Sequence, residues 1–340
     1  MAVSLSIIIP CYNVAEYIQK TIDSLSKLKN AEDCEFIFIN DGSTDNTLYY
    51  IRLFAENDHR AIVIDQPNRG VSAARNAALV IARKDYILCL DGDDFLHPDT
   101  LLVIQNSTQN SDALLAPCTI VKNNKSPYIL PIGIPEGVYD VGQLYNACKF
   151  FPLAPQIIYR TAIIQNHNIK FDSNIKSGEV YTFTVDFLRY ATSITVIQNS
   201  FYNYVMRANS ATHLPKFSAD ISVLITLKHF IHIDNNWSHS PSFLLTAFKL
   251  IMTFTYNKYL KLGILSDAVF EAIEYIFSDI NFKELLHKIP TKKIDFKHRL
   301  FIRYIKFMPP KFGYIVGICV TKLIKAFKAF HLSSNILRLQ

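Results

Sequence analysis

The first 120 residues alternate between short apolar runs and stretches in which apolar side chains recur every three or four positions. The short runs predict buried strands at residues 5–10, 36–40, 61–64 and 86–90. The intervening stretches predict helices at residues 17–25, 49–54 and 71–82, with Asn13 and Thr44 as caps of the first two. Such alternation with short connections is typical of a doubly wound, mostly parallel sheet, so we predict an α/β fold.

The pattern loosens after residue 98. Further strands are predicted at residues 113–121, 156–159 and 194–205, while residues 123–142 predict a loop or an edge strand. Beyond residue 216 the hydrophobic spacing is helical. We therefore predict an α/β domain over residues 1–215, with halves of about 1–120 and 121–215, followed by a helical region over residues 216–340.

Composition indicates an ordinary folded protein, because 50% of the residues are hydrophobic and 19% are charged. The six cysteines are scattered without a Cys-x-x-Cys pair, which is typical of core residues in a reducing cytosol. No basic segment precedes the first apolar run, and no uncharged apolar stretch reaches about 18 residues. We therefore expect neither a signal peptide nor a membrane-spanning helix.

The positive charge is concentrated at the carboxyl end, where residues 291–340 contain eleven Lys and Arg and a single acid, Asp295. Apolar residues recur at helical spacing beside the lysines of residues 322–330, a pattern typical of amphipathic helices on an anionic membrane face. The alternatives are a helical domain with a solvated basic face and a dimerisation surface. Because no nucleic-acid-binding motif accompanies the charge, we expect no nucleic-acid partner.

Three carboxylates, Asp91, Asp93 and Asp94, follow the strand predicted at residues 86–90. Carboxylates this close repel one another, and burying them without a cation is unfavourable. Gly92 permits close approach of the backbone, and hard divalent cations prefer carboxylate oxygens. Since ligands bind at the carboxyl ends of strands in open α/β sheets, the run predicts a divalent-metal site, with an ordinary acidic turn as the alternative.

Four short motifs occur in order, at residues 8–13 (IIPCYN), 41–45 (DGSTD), 68–76 (NRGVSAARN) and 91–94 (DGDD). Together they resemble the successive motifs of family 2 glycosyltransferases with a GT-A-type nucleotide-sugar-binding domain. The resemblance covers roughly residues 4–215. It implies an inverting transfer of a sugar from a nucleotide diphosphate donor, usually a UDP-sugar, with Mn²⁺ or Mg²⁺. The two predicted halves would then bind the nucleotide-sugar and the acceptor.

The resemblance also implies roles for individual side chains. Asp93 would face the metal, Asp91 would contact the nucleoside or the water shell of the metal, and Asp41 would accept a hydrogen bond from uracil. The implied nucleotide-sugar contacts are Pro10, Tyr12, Asn13, Asp41, Asn68, Arg75, Asp91, Gly92 and Arg207. The alternative for Tyr12 is packing against the next helix, and the alternative for Arg75 is a solvated helix face.

A second polar cluster, Arg207, Ser210 and His213, follows a predicted strand far along the chain. In the resembling family such residues close over the diphosphate, and the histidine binds the metal. A guanidinium suits a diphosphate, and a neutral imidazole is an acceptable ligand for Mn²⁺. Metal contacts are therefore implied for Asp91, Asp93 and His213, with a structural or exposed histidine as the alternative.

Inversion in a single displacement requires a base that takes the proton of the acceptor hydroxyl. Family members commonly carry Glu followed by Asp at the start of a helix, whereas this chain has Glu179 followed by Val180. Glu179 is the first candidate for the base, and the alternative is a first-turn acid favoured by the helix dipole. Asp186 is a weaker candidate, because two helical turns carry it about 10 Å away.

The expected function is sugar transfer to a hydroxyl of a glycan or lipid-linked acceptor in bacterial surface polysaccharide synthesis. We expect a cytoplasmic protein, or one peripheral to the inner membrane face, with a homodimer as an option for the basic tail. A nucleotidyltransferase would share the fold class, but such enzymes usually have a Gly-rich loop where this chain has Pro10 and Cys11. A subunit that binds nucleotide-sugar without efficient transfer is the other alternative, because of Val180.

Overall fold

The computed structural model describes residues 3–107, 111–122, 125–147, 156–175 and 178–207. These residues belong to the first of the two units into which the chain divides, Met1–Ser222. The predictions for Ser210, His213, the helical region 216–340 and its basic tail lie outside the described residues. No helix within the described ranges is long and apolar enough to cross a bilayer.

The first half follows the predicted alternation of strands and helices. Every element predicted up to residue 90 is present, in the order β1 (Leu5–Cys11), α1 (Ile18–Ser26), β2 (Cys34–Asp41), α2 (Thr47–Asn57), β3 (Ala61–Gln66), α3 (Val71–Ile81) and β4 (Tyr86–Cys89). Nearly every side chain of β1, β2 and β4 is buried, on both faces of the sheet. This double burial explains why these strands are continuous apolar runs in the sequence.

The elements of the second half are shorter. They are β5 (Phe95–Leu96), α4 (Thr100–Ser107), β6 (Ala113–Leu115), β7 (Cys118–Lys122), β8 (Lys125–Leu130), β9 (Gly137–Tyr139), α5 (Val141–Ala147), β10 (Ile157–Arg160), α6 (Thr161–Asn166), α7 (Glu179–Leu188), β11 (Ile194–Val196) and β12 (Tyr202–Met206). β8 and β9 lie at sheet edges. The segment predicted as a loop or an edge strand therefore contains two edge strands.

Eight strands form the larger sheet, in the order β3-β2-β1-β4-β10-β6-β11-β9. β1 pairs in parallel with β2 and β4, and β2 pairs in parallel with β3, as the alternation predicted. β10 enters antiparallel between β4 and β6. The fold is therefore α/β as predicted, with a parallel first half and a mixed second half.

A second sheet contains β5, β12, β7 and β8. The prediction of one strand each at residues 113–121 and 194–205 is wrong, because each segment divides between the two sheets. Pro117 lacks the N–H that a central strand needs and separates β6 from β7, and polar residues 198–200 separate β11 from β12. Because β12 pairs with β5, the chain after residue 202 lies beside the acidic run.

The predicted helix caps at Asn13 and Thr44 are also wrong. α1 begins at Ile18 and α2 begins at Thr47, beyond the reach of these caps. Asn13 Oδ1 instead accepts a hydrogen bond from the backbone N–H of Thr44 at 2.8 Å, and the Asn13 N–H donates to Ser43 Oγ at 3.1 Å. Asn13 therefore joins the loop after β1 to the loop after β2, at the carboxyl edge of the sheet.

Gly42 in the loop after β2 has a φ of 70°, and an added Cβ would lie 2.6 Å from the Asn68 nitrogen. We expect Gly42→Ala to lower the free energy of unfolding in two ways. The left-handed backbone costs about 1–2 kcal/mol, and the overlap adds about 1–3 kcal/mol. Urea denaturation measures the total. Gly133→Ala is the matched control, since Gly133 has a φ of 74° and no heavy atom within 4 Å of an added Cβ. Equal losses in the two variants would contradict the contact with Asn68.

Candidate active site

The carboxylates of Asp91, Asp93 and Asp94 cluster in the loop between β4 and β5. One oxygen from each lies within 4.8 Å of the others. Their exposure differs, because the Asp91 side chain is 42% exposed and that of Asp93 is 15% exposed, while Asp94 is buried. The predicted acidic cluster is therefore present, but its three members are not equivalent.

Asp94 is bound within the protein. Its Oδ2 accepts a hydrogen bond from the Tyr202 hydroxyl at 2.7 Å, and its Oδ1 accepts one from the Val205 N–H at 2.7 Å. The Tyr202 oxygen in turn accepts a hydrogen bond from the Asp91 N–H at 3.1 Å. Burial, together with Asp91 and Asp93, raises the pKa of Asp94 well above its ordinary value. Asp94 thus holds β12 against the acidic loop, and Asp91 and Asp93 are left to face a ligand.

Asp93 forms an ion pair with Arg207, through Oδ2 and Nη2. Burial and the neighbouring Asp91 carboxylate raise the pKa of Asp93 to about 6, although Arg207 acts in the opposite direction. The Arg207 guanidinium also lies over the Tyr17 ring, 4.5 Å from its centroid. The structure therefore brings the predicted diphosphate-binding arginine to the predicted metal-facing acid.

Gly92 lets the acidic loop lie directly on the end of β1. A Cβ at this position would come within 3.1 Å of Cys11 Sγ and 3.2 Å of the Pro10 carbonyl oxygen. The Thr21 hydroxyl of α1 donates to the carbonyls of Gly92 at 3.0 Å and Asp94 at 2.7 Å. Gly92 is buried, so it shapes the loop through its own packing, and its predicted contact with the nucleotide-sugar stays a prediction.

Arg75 of α3 is buried, with a side chain that is 4% exposed. Its Nη2 lies 3.0 Å from Asp91 Oδ1, and its Nη1 lies 2.8 Å from Glu179 Oε1. Burial opposes the charged guanidinium, but these carboxylates outweigh burial and raise the pKa of Arg75. The alternative of a solvated helix face is therefore wrong. The guanidinium joins the acidic loop to the start of α7, and its implied contact with the nucleotide-sugar stays a prediction.

Asn76 supports the same junction from α3. Its side-chain amide exchanges two hydrogen bonds with the backbone of Phe171, each 2.8 Å long. The Phe171 ring stacks on Phe183 of α7 with centroids 3.9 Å apart, and the Arg75 guanidinium lies 5.3 Å from the Phe171 centroid. These contacts fix α7 relative to α3, and therefore fix Glu179 relative to the acidic loop.

Glu179 begins α7, directly after Gly178, which has a φ of 93°. The Glu179 side chain is 13% exposed and is joined to the acidic loop through Arg75. Val180, at the next position, is partly buried. Asp186 lies two turns later, and its Oδ1 is 3.8 Å from Arg189 Nη1. The structure thus joins Glu179 to the predicted donor site through Arg75, whereas Asp186 contacts Arg189 at the end of the same helix.

Asp41 at the end of β2 is buried and binds the end of β3 and the loop between β3 and α3. Its Oδ1 accepts hydrogen bonds from the Arg69 N–H at 2.9 Å and from Gln66 Nε2 at 2.7 Å, and its Oδ2 accepts one from the Gly70 N–H at 2.8 Å. Asp41 therefore shapes the loop before α3. Its predicted hydrogen bond to uracil stays a prediction.

The remaining residues predicted to contact the nucleotide-sugar lie at the carboxyl ends of β1 and β3. Pro10 is partly buried, one residue before the end of β1, and Tyr12 and Asn13 are exposed just after β1. Tyr12 is 51% exposed, which argues against simple packing on the next helix. Asn68 is exposed beside Gly42. These loops and the acidic loop share one edge of the sheet, where a ligand of an open α/β fold binds.

Two supporting contacts were not predicted from the sequence. The Tyr202 hydroxyl binds both Asp94 and the Asp91 N–H across more than a hundred positions. The pairing of Arg75 with Glu179 spans 104 positions. A signal for the second contact lay in the mismatch of charges, because α3 contains no acid that could pair with Arg75.

The donor atoms of this cluster fit a hard divalent cation. Asp91 and Asp93 present carboxylate oxygens, which Mn²⁺ and Mg²⁺ prefer. Mg²⁺ is commonly held by one or two carboxylates together with phosphates and water, so two protein ligands suffice when a diphosphate is bound. Asp94 does not fit this role, because both of its oxygens accept hydrogen bonds within the protein.

Comparison with known proteins identifies the family to which the first half of the chain belongs. Residues 6–164 match the family model described as Glycosyl transferase family 2. This segment belongs to glycosyltransferase family 2. The resemblance carried by the four sequence motifs is therefore confirmed.

Among similar glycosyltransferases, EpsJ of Bacillus subtilis (strain 168) is 28% identical over 219 residues, which cover 62% of this chain and 63% of EpsJ. The match thus spans less than two thirds of that relative. TarS 1–349 of S. aureus in complex with UDP-GlcNAc gives a TM-score of 0.77 at 20% identity, over 94% of this chain and 92% of that chain. A mannosyltransferase of Pyrobaculum calidifontis in complex with GDP-Man and Mn²⁺ gives a TM-score of 0.54 at 14% identity, over 94% of this chain and 86% of that chain. These likenesses confirm the GT-A-type fold.

The Tyr202 hydroxyl joins β12 to the acidic loop through two hydrogen bonds. Tyr202→Phe leaves the Asp91 N–H and one Asp94 oxygen without this partner, so we expect a loss of about 1–3 kcal/mol in the free energy of unfolding. Urea denaturation measures the loss. Tyr49→Phe is the control, because Tyr49 is 63% exposed, and its change should stay within about 0.5 kcal/mol. A Tyr202→Phe protein as stable as the control would contradict the link.

Proposed function

We propose that the chain is an inverting, metal-dependent glycosyltransferase that moves a sugar from a UDP-sugar to a hydroxyl of a glycan or lipid-linked acceptor in surface polysaccharide synthesis. The observation that carries the proposal is the convergence of Asp91, Asp93, Arg75 and Arg207 at one edge of the sheet. Two carboxylates and two guanidinium groups within one cluster suit a diphosphate that is bridged by a divalent metal ion. Membership of residues 6–164 in family 2 supports the same reaction class.

The donor is proposed to be a UDP-sugar because the chain shares its fold with TarS, which was solved in complex with UDP-GlcNAc. In this chain, Tyr12 and Asn13 are exposed at the end of β1, where a base and a ribose would lie. Arg207 lies at Asp93 and can reach a diphosphate bound to the same loop. The identity of the sugar is left to experiment.

Asp91 and Asp93 are proposed to hold Mn²⁺ or Mg²⁺, with His213 as a further ligand. The cation would act as a Lewis acid on the departing diphosphate. The similar mannosyltransferase that was solved with Mn²⁺ supports this choice of metal. The chain's own part is to orient the two carboxylates, which it does through Arg75 on Asp91 and Arg207 on Asp93.

The proposed setting is the cytoplasmic side of the membrane, with contact through the basic residues 291–340. Sedimentation with anionic liposomes, compared between the full chain and a truncation after Pro290, tests this contact. Loss of binding on truncation supports it, and equal partitioning contradicts it.

Release of UDP from a panel of UDP-sugars, measured with and without Mn²⁺, tests the proposed function. We expect one UDP-sugar to be turned over when Mn²⁺ or Mg²⁺ is present, and no turnover after treatment with EDTA. An inverted anomeric configuration in the product, read by NMR, supports the single displacement. Binding of a UDP-sugar without turnover would instead indicate a donor-binding subunit, which is the alternative class.

Asp93→Asn removes one negative oxygen from the proposed metal site. We expect Mn²⁺-dependent binding of UDP, measured by calorimetry, to weaken by about tenfold or more, which corresponds to about 1.4 kcal/mol. Asp99→Asn is the matched control, because Asp99 pairs at the surface with Lys29 at 2.8 Å, outside the acidic cluster. Equal Mn²⁺-dependent affinities in the two variants would remove Asp93 from the metal site.

A further inference from the structure

The side chain of Arg207, directly after β12, lies between Asp93 and the ring of Tyr17. Its Nη2 pairs with Asp93 Oδ2, and its guanidinium carbon lies 4.5 Å from the centroid of the ring. The side chains of the ion pair are only 25% and 15% exposed. Solvent therefore screens this pair less than it screens an ion pair on the open surface.

This contact places a cation on an oxygen that the proposed metal site requires. Asp93 is proposed to hold Mn²⁺ or Mg²⁺, and its Oδ2 is bound to the Arg207 guanidinium. A divalent ion at the same carboxylate would lie beside a positive group, which is unfavourable unless further negative charge is present. A diphosphate supplies that negative charge. Mn²⁺ alone should therefore compete with Arg207 for Asp93, whereas Mn²⁺ together with UDP should not.

One hydrogen-bond donor of Arg207 is unused in this position. Its Nε is buried and has no hydrogen-bond partner within the part of the chain that the structure describes. A buried N–H group without an acceptor destabilises the arrangement that contains it. Phosphate oxygens are strong acceptors for a guanidinium. Arg207 can therefore gain a hydrogen bond when it moves from Asp93 to a diphosphate.

The backbone before Arg207 is fixed to the acidic loop. The Val205 N–H and the Tyr202 hydroxyl each donate a hydrogen bond of 2.7 Å to Asp94. These bonds hold β12 beside the loop on which the diphosphate is proposed to bind. A change of side-chain rotamer is therefore sufficient to carry the guanidinium from the carboxylate to the diphosphate, and β12 need not move.

We propose that Arg207 pairs with Asp93 before the donor binds and transfers to the diphosphate on binding, so that the cation and the nucleotide bind cooperatively. This inference rests on the proposed function, because it describes the regulation of the same donor site. Before binding, the guanidinium keeps Asp93 oriented and opposes a cation that arrives alone. After binding, the cation is held by Asp93 and the guanidinium balances the diphosphate. Arg207 thus couples the two binding events.

Two affinities of the full chain test this exchange: that for Mn²⁺ without nucleotide, measured by electron paramagnetic resonance, and that for UDP at saturating Mn²⁺, measured by calorimetry. Both are measured at pH 8, above the pKa of about 6 of Asp93. We expect Arg207→Met to bind Mn²⁺ alone about fivefold more tightly or better, because the guanidinium no longer competes for Asp93. We expect the same variant to bind UDP about tenfold more weakly, because the diphosphate loses a charged donor.

Two further variants complete the test. Arg189→Met is the matched control, because Arg189 lies directly after α7 and pairs with Asp186 at 3.8 Å, so both affinities should stay within about twofold. Tyr17→Leu removes the ring beside the guanidinium and leaves the charge of Arg207 in place. We expect this variant to bind Mn²⁺ alone about twofold to fivefold more tightly, without a weaker affinity for UDP.

An unchanged or weaker affinity for Mn²⁺ alone in Arg207→Met overturns the exchange, and the same result in Tyr17→Leu decides the matter if Arg207→Met does not fold. An unchanged affinity for UDP in Arg207→Met also overturns it, since the guanidinium would then not reach the diphosphate. The proposed function fails separately, if the unmodified chain does not bind UDP in the presence of Mn²⁺.

Discussion

Electrostatic repulsion among the carboxylates at the end of β4 is the constraint that the surrounding structure must satisfy. Asp91, Asp93 and Asp94 place oxygens within 4.8 Å of one another, which is unfavourable unless each charge is balanced. Asp91 pairs with Arg75 of α3, and Asp93 pairs with Arg207 directly after β12. Asp94, whose pKa is raised by burial and by the two other acids, accepts a hydrogen bond from the Tyr202 hydroxyl of β12. The positions of α3 and β12 around the loop therefore follow from the need to neutralise it.

Much of the first half of the fold could be predicted because its information is local. Apolar runs that are buried on both faces mark the parallel strands, and the acidic run marks their functional edge. The helix caps were harder to predict, because the Asn13 side chain joins two loops across 31 positions and does not cap the helix that follows it. Local hydrogen-bonding preference was overridden there by a tertiary contact.

The second half was less predictable, because its strands are short and divide between two sheets. Nothing in residues 113–121 apart from Pro117 indicates that the chain leaves one sheet for the other. The contacts between side chains in the site were equally hard to predict. The sequence identified the acids and the arginines, but their pairing depends on contacts such as Arg75 with Glu179 that span 104 positions. Such pairings leave no periodic signal in a single sequence.

The links from Asp94 to Tyr202 and from Arg75 to Glu179 also bear on the order in which the molecule assembles. Each joins residues more than a hundred positions apart and so closes a long loop, and we therefore expect each to form late in folding. During synthesis the parallel strands β1 to β4 can pair before β12 has left the ribosome. Arg75, the partner of Asp91, is made before the acidic loop, but Asp93 and Asp94 lack Arg207 and Tyr202 until about residue 207 has been made. The two halves of the domain are thus unequal in timing: the first supplies the scaffold early, and the second completes the charge balance afterwards.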